Sequence, residues 1–97
     1  MQRRLLLGLL LSAPAGPLRA ADLVDGFAAF DGGDYVEAAR IWRELAAAGD
    51  TAAMVALAGL YEQGLGVPRD PARARELYER AAARGDPTAR RILERAR

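Results

Sequence analysis

Apolar residues recur along most of this chain at helical spacing, in stripes that stop and restart at regular places. Ala38, Ile41, Trp42, Leu45 and Ala46 fall on one helix face, with Glu37, Arg40, Arg43 and Glu44 opposite. Ala74, Leu77, Tyr78, Ala81 and Ala82 form the same stripe further on. A helix with one apolar face must bury it against a neighbour. Between these two, Ala52 to Tyr61 has no charged or amide side chain, which predicts a central helix covered on both flanks. In the last segment Ala89, Ile92, Leu93 and Ala96 make one apolar stripe, while Arg90, Arg91, Glu94, Arg95 and Arg97 supply the polar outer face that a terminal helix needs.

The helix boundaries are written in the sequence as well. Asp34, Asp50, Asp70 and Asp86 each precede an apolar-periodic segment, where a carboxylate can accept the unpaired N–H groups of a first turn. Pro71 and Pro87 follow two of them, at the position where a missing N–H costs nothing. Glu37, three residues after Asp34, completes the spacing of a capping box. Gly33, Gly49, Gly64 and Gly85 stand where helices would close through a left-handed residue. The predicted helices are Asp22 to Phe30, Tyr35 to Ala48, Thr51 to Gln63, Pro71 to Arg84 and Pro87 to Arg97. Charges on the outer faces, including Glu76 and Arg80 at i,i+4, read as a solvated surface.

These segments repeat. Asp34, Ala38, Ala46, Ala47, Gly49, Asp50, Ala53 and Leu57 recur 36 positions later as Asp70, Ala74, Ala82, Ala83, Gly85, Asp86, Ala89 and Leu93. Trp42 falls on Tyr78, Ile41 on Leu77 and Ala56 on Ile92, so character is kept where identity is not. A period of this length is the signature of a solenoid whose units cannot bury their apolar faces alone.

The N-terminus has a different design. Arg3 and Arg4 precede the apolar block Leu5 to Leu11, followed by Ser12, Pro14, Gly16 and Pro17 and then Leu18-Arg19-Ala20-Ala21. Basic start, short apolar block and small-residue end are the three parts of a secretory signal peptide. The block is shorter than the ~20 residues a bilayer span requires, and an uncleaved anchor is the lesser reading. Cleavage is expected after Ala20, with Leu18 larger than the small residue preferred three places before the cut. The product is then periplasmic or secreted, with residues 21–97 as its one domain. Removing residues 1–20 takes three arginines and shifts the formal charge from +1 to −2. A slightly basic precursor is therefore no argument for a nucleic-acid partner, and no basic stripe interleaves with aromatics.

Composition excludes much chemistry. Cysteine and histidine are absent and the only serine lies in the leader, which removes thiol nucleophiles, Cys/His zinc sites and Ser-His pairs. With no cysteine after the apolar block, lipid attachment at a lipoprotein-type site is excluded as well. All fourteen basic residues are arginine, a pattern attributable to biased base composition in the source genome. Gly64-Leu65-Gly66 lacks the preceding strand of a phosphate-cradling loop, and Asp31-Gly32-Gly33-Asp34 lacks the alternating ligands of a calcium loop, so both read as turns. Trp42, Tyr61 and Tyr78 read as core rather than a ligand box. Thr51 and Thr88 sit beside capping aspartates with no base to activate them, and the carboxylates form no paired constellation.

At Ala53, Leu57, Tyr61, Gly64, Gly66, Val67, Asp70, Ala74, Tyr78, Ala81, Ala82, Gly85 and Ala89 the sequence resembles a Sel1-like repeat. Such repeats are helical hairpins related to tetratricopeptide repeats, with a longer turn between the two helices. The resemblance implies an all-α, short α/α solenoid of about two and a half units. Residues 21–49 resemble the shorter tetratricopeptide-type hairpin, residues 50–85 a full Sel1-like unit and residues 86–97 a capping half-unit. Ala58 stands where the family has glycine and Gly59 follows, which implies a looser helix approach or a different contact there. Some extracellular members carry disulfides and a few have been linked to β-lactam binding or hydrolysis, an architecture that a cysteine-free chain does not share.

The function expected is a small exported, non-catalytic interaction module for a protein or peptide partner, with no cofactor and no metal. The alternative is a cell-envelope β-lactam-binding or hydrolysing enzyme, and a third reading is self-association through open repeat ends. In helical-hairpin repeats the first helix of each unit lines the inner surface. The repeat pattern leaves Met54, Val55, Gly59 and Glu62 outside the positions it assigns to packing, which makes them the candidate partner-binding residues.

Overall fold

The computed structural model describes residues 20–96, so the leader and its cleavage site lie outside the described residues. Five helices follow one another, α1 Ala20–Asp31, α2 Tyr35–Ala47, α3 Thr51–Gln63, α4 Pro71–Ala83 and α5 Pro87–Arg95. No strand occurs among the described residues. Each helix packs on its neighbours in sequence, α1 on α2, α2 on α3, α3 on α4 and α4 on α5. This is the zigzag of a short helical-hairpin solenoid.

Local chemistry sets the helix ends. The side chains of Asp34, Asp50, Asp70 and Asp86 accept the N–H of Glu37, Ala53, Arg73 and Ala89, at 3.2, 3.1, 3.0 and 2.9 Å. Gly33, Gly49, Gly64 and Gly85 all take positive φ, as their positions predict. One turn is built twice: Asp50 N–H donates to the Leu45 carbonyl just as Asp86 N–H donates to that of Ala81, both at 3.0 Å. The sequence period is thus a period of backbone geometry.

Two surface expectations are corrected. The capping box at Asp34 is only half made, because the Asp34 N–H already donates to the Ala29 carbonyl at 2.8 Å. The Glu37 carboxylate instead grips Arg40, at 2.9 and 2.8 Å, which holds it below the usual carboxylate range. Glu76 pairs with Arg73 at 2.6 Å rather than with Arg80.

The core runs through the stack. Trp42 and Leu45 of α2, Met54, Leu57 and Leu60 of α3, and Leu77 and Tyr78 of α4 are its large members, with alanines filling the close helix contacts. On α5 only Ala89 is fully buried, while Ile92 and Leu93 pack partly against the core. The other residues of α5 are exposed.

The long turn after α3 is part of the packing. Leu65 N–H donates to the Leu60 carbonyl at 3.0 Å and Asp70 N–H to that of Tyr61 at 2.8 Å, folding residues 64–70 back over the helix end. Val67 is buried in the process. Gly66, at φ +72°, presses on the start of α2, where a Cβ would collide with the Tyr35 carbonyl and stand 2.8 Å from Val36 N. Residues 65–69, which have no counterpart between Gly33 and Asp34 of the preceding hairpin, thereby lock this hairpin to α2.

Candidate functional site

Because α1 and α3 pack on α2 rather than closely on each other, a trough opens between them. One half is a cavity of about 280 Å³ lined by Phe27, Phe30 and Trp42 on one side and Val55, Gly59 and Leu60 on the other, with Asp31 and Gln63 at its mouth. The other half, about 290 Å³, lies between Phe27, Ala52, Val55 and Ala56 and reaches Asp86 and Thr88 at the start of α5. The halves share Phe27, Val55 and Ala56, so the trough runs along α3 from one end to the other. Its wall is unusually exposed for apolar chemistry: Phe27 keeps 45% of its surface in water, and Val24 on the same helix 63%.

Aromatic stacking builds that wall. The Phe27 ring meets Trp42 edge-on with centroids 4.9 Å apart, and Phe30 lies 6.0 Å from Trp42 and 5.1 Å from Tyr35. Trp42 itself is 2% exposed, and its indole N–H is the one buried side-chain donor or acceptor without a partner among the described residues. Trp42 and Tyr78 are core residues and no ring contact joins Trp42, Tyr61 and Tyr78, in keeping with the core reading.

The four candidate residues separate in space. Val55 and Gly59 line the trough. Met54 does not, and this is a correction: it is 0% exposed. Successive helix residues are turned by about 100°, so Val55 can face the trough only if Met54 turns away from it. Glu62 is exposed, but its carboxylate is engaged by the Tyr78 hydroxyl at 2.7 Å. That bond and, before it, burial push the Tyr78 phenol well above its ordinary pKa. Gly59 makes no close approach to another helix, since a Cβ there would meet nothing within 4 Å. Ala58 beside it is fully buried.

Phe27, the exposed large apolar side chain that lines the trough, is absent from the four. Its signal is an aromatic outside the repeat pattern, on a helix too short of polar contrast to show an orientation. Among the described residues no three acidic side chains are grouped so as to hold a metal ion, and no helix is long and apolar enough to cross a membrane.

The hairpin α3–α4, with its folded-back turn and glycine-locked ends, decides the comparison with known families. Residues 51–86 match the Sel1 repeat. The matched stretch has the length of the internal period, and it contains α3, the long turn, α4 and the cap of α5. No curated protein and no solved structure matches the chain. A Sel1 repeat points to protein interaction as the general role, and its first helix, α3, is the one that floors the trough.

Proposed function

We propose that this chain is an exported, non-catalytic module that receives a protein or peptide partner in the trough between α1 and α3. The carrying observation is the half-exposed Phe27 ring held over an apolar floor of Val55 and Gly59, a surface whose burial favours association. The Sel1 repeat supports the same class of role.

The test is crosslinking capture with the wild-type chain and with a Phe27→Ser/Val55→Ser variant. Specific partners are expected with the first and lost with the second, while the helical circular dichroism stays the same. Undiminished capture by the folded variant removes the trough from the reading. Export is tested separately by the mass of the chain recovered from a periplasmic extract, which should begin at Ala21. Nitrocefin turnover by the purified protein should be absent.

A further inference from the structure

The trough has an electrostatic character that its apolar floor does not dictate. Helix α1 places Asp31 at the trough, while its Asp22 and Asp25 line a separate cavity with Glu37 and Arg40 of α2, and neither α1 nor α3 has a basic residue. Every arginine among the described residues lies on α2, α4, α5 or the turns flanking α4. No arginine lines the trough, and a carboxylate closes each end, Asp31 at one and Asp86 at the other. Asp86 caps α5 through one oxygen, Oδ1, so its other oxygen still offers negative charge.

Spacing follows from the helix beneath. The trough reaches from Ala52, beside Asp86, to Gln63, beside Asp31. At 1.5 Å rise per residue that is ~16 Å, the length of about five residues of extended chain. Apolar side chains suit the middle, where Phe27, Val55 and Ala56 meet. Cationic side chains suit both ends, where low-dielectric walls strengthen attraction to a carboxylate.

Resting on the trough as the partner site, we propose that its occupant is an extended segment with an apolar centre flanked by basic residues about five positions apart. An anionic or neutral apolar segment would find the same floor but no opposite charge at either rim. Charge thus sets which segments bind, and the apolar floor sets that they bind at all.

Fluorescence anisotropy with three labelled peptides of about seven residues tests this, all sharing one leucine-rich centre and flanked by arginines, serines or glutamates. At about 50 mM salt the arginine-flanked peptide should bind at least ~10-fold more tightly than the serine-flanked one, and the glutamate-flanked one least. Asp31→Lys/Asp86→Asn, in which asparagine keeps the helix cap, should erase that order while leaving the serine-flanked affinity within about twofold. Equal binding of all three by the wild-type chain overturns the charge proposal and leaves the trough as a site. An arginine preference that survives in the double variant also overturns it. If none of the three binds, both the proposal and the trough reading fail.

Discussion

Gly26 of α1 lies so close to the indole of Trp42 on α2 that no side chain fits between them. A Cβ on Gly26 would stand 2.7 Å from Trp42 Cδ1 and 2.9 Å from Cε2, and nearer still to Nε1. The contact sets the height of α1 above α2, and so where Phe27 stands in the trough. The same closeness sets the indole nitrogen, whose N–H has no partner, directly against Gly26.

Gly26→Ala should therefore destabilise the protein, although alanine is the better helix former by roughly 1 kcal/mol. Forcing the ring aside is overpacking, for which about 1–3 kcal/mol is usual. Thermal unfolding would measure the loss, and a melting temperature raised by the substitution would refute the contact.

Two glycines of positive φ should separate by what surrounds them. Gly85 at φ +97° has nothing within 4 Å of a built Cβ, whereas at Gly66 the Cβ would strike the Tyr35 carbonyl. Gly85→Ala should cost about 1 kcal/mol, the strain of the backbone alone, and Gly66→Ala about 2 kcal/mol or more beyond that. Equal losses in denaturant titrations would mean that the long turn does not press on α2.

Neighbouring residues of α3 should behave oppositely. Met54→Ser, inside the core, should lose about 2–4 kcal/mol of stability, and Val55→Ser, on the trough, about 1 kcal/mol or less. Only the second should weaken capture in proportion to folded protein.

The Tyr78–Glu62 bond gives a pH signature. Burial first, and then that bond, raise the phenol's pKa above its ordinary 10.0, so the folded state keeps a proton that the unfolded chain has lost. The stability this contributes is complete below about pH 10 and is lost as pH rises beyond it. Tyr78→Phe should lose roughly 1 kcal/mol at neutral pH, yet show a shallower decline of melting temperature above pH ~10. Parallel alkaline declines would contradict the assignment.

What could be read along the chain is what local chemistry decides. The aspartate caps, the closing glycines, the α3 boundaries Thr51–Gln63 and the repeat itself depend on groups within a few residues of one another, and all stand in the structure. Helix faces were legible where polar residues mark them, as on α2 and α4. On α3 the contrast is missing: with apolar residues all round, nothing in the order of residues tells that Met54 turns inward and Val55 outward. That choice is made by where α2 and α4 pack. The same holds for Gly26 and Gly66, whose need for no side chain arises from Trp42 and Tyr35, distant in sequence and brought near only by helix docking. The trough belongs to this second kind, because a space between α1 and α3 exists only once both are held by α2.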